Sequence, residues 1–348
     1  MLPYGKQTIT QDDIDAVVET LKGNYLTGGP TVTEFENIVK DYVGAKHAIA
    51  LSNATAALHV ACLSLDLKES DRGVTVPNTF LATANCIAYC GAIPEFIDIN
   101  LDSLCMCPER LEEYIKTKGP PKVVIPVDFA GVPADLPKIW DLAKKYNFYV
   151  IEDAAHSIGS YYYHNDIKIR CGSCVHSDFA VFSFHPVKTV TAGEGGMLLT
   201  NNDELARKAR MFSCHGIERD QNLFEEWNIN NENGKISDKS SKTNNNDKAP
   251  WLYQQQVLGY NYRITDIQSA LGISQFKRID ETIDKRQKIF NIYQEKFRDY
   301  KNLLTPVEFS NMVCAYHLYV IRYNGDDPQW RVKKVNKLRD KGIVAKIH

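Results

Sequence analysis

Val181-Phe182-Ser183-Phe184-His185-Pro186-Val187-Lys188-Thr189-Val190-Thr191-Ala192-Gly193-Glu194-Gly195-Gly196 leads directly into Met197-Leu198-Leu199-Thr200. The apolar run Phe179–Phe184 reads as a buried strand, and so does Met197–Thr200. Between them stand one lysine and a glycine-rich turn. Such a lysine, just past a strand end and among small residues, is either a positioned amine or a surface charge on an ordinary hairpin. The surrounding chain has to choose between them.

Upstream, short apolar runs alternate with helix-period segments. Strands are expected at His47–Leu51, Gly73–Pro77, Pro94–Ile97, Lys122–Val127 and Phe148–Glu152, and helices at Ala54–Leu67, Leu81–Cys90, Pro108–Lys116 and Leu136–Tyr146. Unalternating strands separated by helices imply a mainly parallel sheet covered on both faces. We therefore expect a three-layer α/β/α domain around a mainly parallel seven-stranded sheet, spanning residues 1–265. Downstream, Thr265-Asp266-Ile267-Gln268 has the form of a capping box. It opens a single long helix to about Phe297, with apolar positions at Ile267, Leu271, Phe276, Ile279 and Ile283. Residues 266–348 make a smaller C-terminal α+β domain, with strands at Ala315–Tyr323 and Ile343–Ile347 and a helix at Val332–Lys341. Ile229–Pro250 is dominated by Asn, Lys, Ser and Asp and reads as a mobile surface insertion. No internal repeat is evident.

At 348 residues the chain has ample length for a large core. Its 41 Lys and Arg nearly balance 43 Asp and Glu, which argues against nucleic acid or an anionic membrane as partner. No run reaches the ~18 apolar residues of a membrane span. The first residues lack the charged and apolar regions of a signal peptide, so a cytoplasmic protein is expected. Nine cysteines, scattered through the chain, read as reduced thiols. The pairs Cys105/Cys107 and Cys171/Cys174 lack the regular spacing of a zinc site, and no metal is expected.

Ligands of such sheets bind beyond the carboxyl ends of the strands. There, Ser52-Asn53-Ala54-Thr55-Ala56-Ala57 turns straight into a helix, which suits either a phosphate or a simple helix cap. Glu152 and Asp153 end an apolar strand, where a buried carboxylate needs a cation or several donors. Phe80 stands just after another strand end and could cover a flat ring or fill the core. A phosphate seat, an aromatic lid, an acid and an amine, each from a different strand end, together describe a pocket for pyridoxal phosphate.

Asn53–Ala57, Glu152–His156, Ser183–Lys188 and Gly193–Gly196 resemble, in their order, the DegT-type sugar-nucleotide aminotransferases, which have the fold-type-I architecture of pyridoxal phosphate enzymes. Gly23–Gly28, Gly172–Asp178 and Cys214–Arg219 add a likeness to the branch that aminates C4 in pseudaminic acid biosynthesis. The resemblance runs from about Lys6 to the last residue. It implies a UDP-linked 4-keto-6-deoxy-N-acetylhexosamine as substrate, L-glutamate as amino donor, and a homodimer. It makes Lys188 the covalent anchor of the cofactor and Asp153 the partner of its pyridinium nitrogen. Phe80 would stack on the ring, and Thr55, Ala56 and Ser183 would hold the phosphate. His156 stands where many members have Gln near the cofactor's phenolic oxygen. Asn261 and Arg263 match a loop that reaches the partner subunit's site. Lys6, Asn24, Tyr25, Leu26, Thr27, Tyr316, His317, Leu318 and Tyr319 match positions that contact the sugar nucleotide. Against the family pattern the insertion is long, and the chain stops at His348 where relatives continue, so the small domain is expected to be truncated. Other readings stay open: a dehydratase, whose relatives carry histidine in place of the lysine, a sugar 3-aminotransferase, or a non-catalytic sensor on the same fold.

Overall fold

The computed structural model describes residues 1–224 and 251–347; the expected insertion at 229–250 lies outside them. Two N-terminal helices, α1 (Gln11–Lys22) and α2 (Pro30–Val43), precede the sheet. Its strands are β1 (His47–Leu51), β2 (Arg72–Thr75), β3 (Ile93–Phe96), β4 (Val123–Val124) and β5 (Tyr149–Asp153). A hairpin, β6 (Tyr161–His164) and β7 (Ile167–Arg170), intervenes before β8 (Phe179–Ser183) and β9 (Gly196–Thr200). Between the strands run α3 (Ala54–Ser64), α4 (Leu81–Tyr89), α5 (Pro108–Lys118) and α6 (Leu136–Tyr146). After β9 comes α7 (Asp203–Ser213).

The seven strands lie in the order β1-β9-β8-β5-β4-β2-β3. All run parallel except β9, which is antiparallel to both β8 and β1. The two-residue period of a strand sends alternate side chains to opposite faces. Phe179 and Val181 join the core under α3, α4 and α7, whereas Ala180 and Phe182 pack toward α2 on the other face. Phe182 is fully buried, and burying such a side chain contributes ~2–3 kcal/mol. The β8–β9 loop is thereby rooted in the best-packed part of the sheet.

The expected seven strands and four intervening helices are all present, with ends shifted by a few residues. The single long helix is instead two, α8 (Asp266–Phe276) and α9 (Ile279–Phe297). The capping box at Thr265 and Gln268 is formed. Asp13 explains the break. Its carboxylate accepts from Ser274 Oγ at 2.6 Å, Gln275 Nε2 at 2.7 Å and Arg278 Nη2 at 2.9 Å. Burial alone would raise the Asp13 pKa, but the bonds from Arg278, Ser274 and the Thr10 N–H, with the Arg278 charge, carry it down to about 2. The last turn of α8 is thus pinned to α1, and Arg278, at φ −110° and ψ 16°, leaves the helical conformation before α9 begins.

In the C-terminal part, strand pairing is shorter than the sequence suggests. Ala315–Tyr323 contributes only its end to a strand, and of Ile343–Ile347 only Ile343 bridges, to Leu2. Met312–Val313 instead adds a third strand to the β6–β7 hairpin. That hairpin turns on Asn165 and Asp166, both in the left-handed region at φ 50° and 61°, as a tight turn of right-twisted strands requires. Among the described residues, no helix is long and apolar enough to cross a membrane.

Candidate active site

Lys188 sits in the β8–β9 loop, where its backbone N–H donates to the His185 carbonyl at 2.9 Å. Burial drives its pKa down to about 8 from the ordinary 10.5, and the charge of Asp153 partly opposes that shift. Asp153 ends β5, and only 5 % of it is exposed. Burial raises its pKa, while hydrogen bonds from Thr83 and Ala155 and the charge of Lys188 act to lower it. The Thr83 hydroxyl donates to Asp153 Oδ2 at 2.7 Å, and the Ala155 N–H to Oδ1 at 3.2 Å. Thr79 Oγ1 lies 2.7 Å from Thr83 Oγ1. Since Thr83 gives its one proton to the carboxylate, Thr79 is the donor of that second bond.

The expected phosphate seat abuts the lysine loop. Ser183 is opposite Gly196 in the β8–β9 register, and Gly196 is opposite Leu51 of β1. A Cβ on Gly196 would lie 2.4 Å from the Asn53 carbonyl carbon and 2.6 Å from the Ala54 nitrogen. Only glycine lets the β1–α3 turn come this close to β9. Asn53 caps α3 by accepting from the Ala56 N–H at 2.8 Å. The first-turn N–H groups of Ala54 and Thr55 have no helical carbonyl to pair with, and this turn packs against Gly196, the register partner of the buried Ser183. Anions are favoured at such a helix N-terminus. Phe80 occupies the N-cap of α4 with 73 % of its surface exposed, so its ring is available to cover a planar group.

His156 lies with its Nδ1 accepting from the Ala130 N–H at 3.3 Å. This places the proton of the neutral ring on Nε2. His317 is brought against it, with ring centroids 4.3 Å apart. The Tyr316–Tyr319 segment docks through the His317 N–H on the Ala130 carbonyl at 2.9 Å. From the other side, Arg286 donates to the carbonyls of Tyr316 and His317 at 3.2 Å each. Gly131 makes the docking possible. Its φ is +96°, and a Cβ there would meet the nitrogens of Tyr316 and His317 at 3.1 and 3.2 Å. Leu318 packs on the core beside Phe129 and Leu136, and the Tyr319 hydroxyl donates to Gln294 at 2.8 Å.

The remaining expected residues form a rim. The Gly5–Lys6 segment runs past the lysine loop, with Val187 3.4 Å from the position of a Gly5 Cβ, and Lys6 is exposed. Asn24–Thr27 are exposed too and are held at the start of α8. There Asp266 N–H donates to the Leu26 carbonyl at 3.1 Å, and Thr27 bridges Thr265. From α8, Gln268 Nε2 donates to the Glu194 carbonyl at 2.9 Å, tying this rim to the glycine turn. Asn261 and Arg263 are exposed at the outer edge of β1, where Arg263 bridges Leu51 and bonds Asn261 Oδ1 at 3.0 Å. Arg263 also lines a separate cleft of about 380 Å³ with Glu36, Arg210 and Arg219.

Two features escape the sequence reading. Thr83 carries no motif, although its place one turn into the helix after Phe80 is the available signal. On the opposite face of β5 from Asp153, Asp128, Glu152 and Cys171 are gathered with ligand atoms within 4.8 Å of one another. Burial pushes both carboxyls up, and they are satisfied by Ala134, Ser157 and Gly172. The described contacts make this a packed acidic pair beneath the site.

Residues 7–348 match the family model described as the DegT/DnrJ/EryC1/StrS aminotransferase family. A UDP-4-amino-4,6-dideoxy-N-acetyl-beta-L-altrosamine transaminase of Campylobacter jejuni is 38 % identical over 348 residues, covering 100 % of this chain and 83 % of that protein. The spore coat polysaccharide biosynthesis protein SpsC of Bacillus subtilis is 36 % identical over 321 residues, covering 92 % and 75 %. Among solved structures, Helicobacter pylori PseC, an aminotransferase involved in pseudaminic acid biosynthesis, superposes with TM-score 0.81 at 27 % identity, covering 100 % and 84 %. A putative sugar aminotransferase from Streptococcus pneumoniae in its PLP form superposes with TM-score 0.83 at 25 % identity, covering 100 % and 84 %. A buried amine of lowered pKa beside a buried carboxylate, next to a helix N-terminus open to an anion, fits pyridoxal phosphate, the cofactor these relatives indicate. The chain belongs to the DegT/DnrJ/EryC1/StrS aminotransferase family.

Proposed function

We propose that this aminotransferase moves the amino group of L-glutamate onto the C4 ketone of a UDP-linked 4-keto-6-deoxy-N-acetylhexosamine, of the altrosamine type, yielding the UDP-4-amino sugar for surface glycans of the pseudaminic acid kind. The likeness to the Campylobacter transaminase over all 348 residues is the observation that carries the reading. We further propose that the reaction runs in the cytoplasm, in a homodimer with shared active sites.

When bound, pyridoxal phosphate supplies an electron sink for the carbanion that forms when the donor loses its α-proton. Lys188 is suited to move that proton, because burial has lowered the pKa of its amine to about 8, close to physiological pH. Asp153, fixed by Thr83 and Ala155, is suited to hold a positive charge at the pyridine nitrogen. Ser183, Thr55 and the backbone N–H groups at the start of α3, Ala56 included, are assigned to the phosphate. Lys6, Asn24–Thr27 and Tyr316–Tyr319 are assigned to the sugar nucleotide. His317 beside His156 is the best placed of the last group, whereas Leu318 and Tyr319 act through packing.

The test is incubation of purified protein and glutamate with a panel of UDP- and dTDP-linked 4-keto sugars, with products identified by mass spectrometry and NMR. A new amine at C4 of the UDP-linked substrate is expected. Amination at C3, or of dTDP-sugars alone, overturns the substrate assignment. No amination of any sugar by protein that binds the cofactor overturns the catalytic reading.

A further inference from the structure

Helices α3 and α4 pack face to face, and their contact gathers three unlinked thiols. Cys62 lies on α3, Cys86 on α4, and Cys90 is the C-cap of α4. Cys62 and Cys86 are fully buried in the core, while Cys90 is only half-buried at its margin. Cys62 and Cys86 belong to one packed cluster with Cys90 against it, and the Cys62 thiol interacts with both of the others. An inner thiol thus touches an outer one that solvent can reach.

His59, one turn before Cys62 on α3, completes the cluster. It is 4 % exposed, with Nδ1 3.2 Å from the Tyr262 hydroxyl. Tyr89 and Tyr260 meet its ring edge-on, at centroid distances of 5.4 and 5.0 Å. Its Nε2 is buried without a conventional hydrogen-bond partner, which is an expensive state for a polar atom. The imidazole acts instead on the Cys90 sulfur. The neighbouring Cys62 and, against burial, the nearby His59 imidazole hold the Cys90 thiol down to about 6. Cys62 is pushed well up by Cys86 and Cys90. The thiol whose pKa is lowered is the accessible member of the pair, in the partly exposed setting of reactive cysteines.

We propose that Cys90 is a peroxide-reactive thiol and Cys62 its resolving partner, so that oxidation links α3 to α4 through a disulfide. In the first step the Cys90 thiolate attacks one oxygen of hydrogen peroxide. The O–O bond breaks and hydroxide leaves as water after taking a proton, which makes a sulfenic acid. In the second, Cys62 sulfur attacks the Cys90 sulfur, the S–O bond breaks, and the departing hydroxide takes the Cys62 proton as a second water. Two thiols lose two electrons and two hydrogens, and one peroxide is reduced to two waters. The helices so joined carry Thr55 and Ala56 at one N-terminus and Phe80 and Thr83 at the other. Oxidation therefore ties together the two elements that flank the cofactor site.

The test uses reduced wild-type holoenzyme. Iodoacetamide is applied at pH 6, and the rate at each cysteine is read by peptide mass spectrometry. Cys107 is the internal control, since it too is half-buried but donates its S–H to Glu109 Oε2 at 3.3 Å. At that pH the thiolate fraction favours Cys90 more than its lower nucleophilicity penalises it, and Cys90 should react roughly tenfold faster. Equimolar peroxide should then give a non-reducing map with a Cys62–Cys90 linked peptide that dithiothreitol releases. In Cys62→Ser, the sulfenic acid should persist at Cys90 and be captured by a 1,3-diketone. Equal alkylation of Cys90 and Cys107, or a peroxide map with no link or a link elsewhere, overturns the proposal. The wild-type map decides even where the variant fails to fold.

Discussion

Thr83 Oγ1 donates to Asp153 Oδ2 at 2.7 Å, with both side chains withdrawn from solvent. Burial works to protonate Asp153, and this bond works to keep it ionised. A hydrogen bond to a charged group contributes ~1.5–3 kcal/mol. Thr83→Val, which keeps the shape and removes the hydroxyl, is therefore expected to lower kcat on the order of tenfold to a hundredfold while leaving the circular dichroism spectrum unchanged. Thr83→Ser should recover most of the loss. A valine variant within twofold of wild type counts against the role.

The lysine has a pH signature of its own. Attachment of cofactor to the cofactor-free protein needs the neutral amine of Lys188. Its rate should climb about tenfold per pH unit below 8 and flatten above it, whereas an ordinary lysine would keep climbing past 10. Asp153 raises the Lys188 pKa, so Asp153→Asn should shift the break downward. Linkage gives the matching stability effect. Between about 8 and 10.5 the unfolded chain binds more protons at Lys188 than the folded one does, so the folded form gains stability as pH rises through that window. Denaturation of wild type beside Lys188→Met across the window measures the gain, and parallel curves would exclude it.

Gly196 and Gly193 separate close approach from backbone conformation. Gly196→Ala drives a methyl into the Asn53–Ala54 peptide and should cost ~1–3 kcal/mol, with weaker retention of the phosphate-bearing cofactor. Gly193 has φ +81° with nothing within 4 Å of an added Cβ. Its alanine variant should lose only ~1–2 kcal/mol of left-handed strain and keep normal cofactor affinity. Thermal melts and cofactor titration of both variants decide the matter, and equal cofactor affinity in the two would remove the phosphate-seat argument.

Exposure of Asn261 and Arg263 at the edge of β1 invites a subunit test. If Arg263 serves the partner's site, Lys188→Ala and Arg263→Ala are each inactive alone, yet mixing them through a denature–refold cycle should restore activity in one site of each hybrid dimer. About a quarter of wild-type activity is expected from random pairing. No recovery, with hybrid formation verified by mass, would place Arg263 in its own subunit's chemistry.

Much of the sheet was readable because each strand is a short apolar run with a helix behind it, and burial on both faces leaves that mark in composition. Lys188, Asp153 and the Asn53–Ala57 turn were readable because a charge or a run of small residues at a strand end breaks the apolar pattern. Thr83 left no such break, since a threonine in a buried helix looks like any other. The α8–α9 kink was illegible because its cause, Asp13, lies more than 250 residues away in sequence. The β6–β7 hairpin was missed because Tyr161–Arg170 mixes tyrosines with charged residues, although its Asn165-Asp166 turn was in plain view.

Strand β9 also governs the order in which the molecule can be assembled. Within the sheet β1 pairs only with β9, so His47 waits for Thr200. At ordinary synthesis rates the intervening residues take ~10–30 s to emerge. During that time β2, β3, β4 and β5 can pair while the apolar edge of β1 has no mate. The pair β8 and β9, which joins β1 to β5, therefore arrives last and closes the sheet like a keystone, and the lysine loop comes into being in the same event. Ribosome-stalled chains ending before Gly196 should be cleaved by protease near residues 47–51, and chains extended past Thr200 should be protected there.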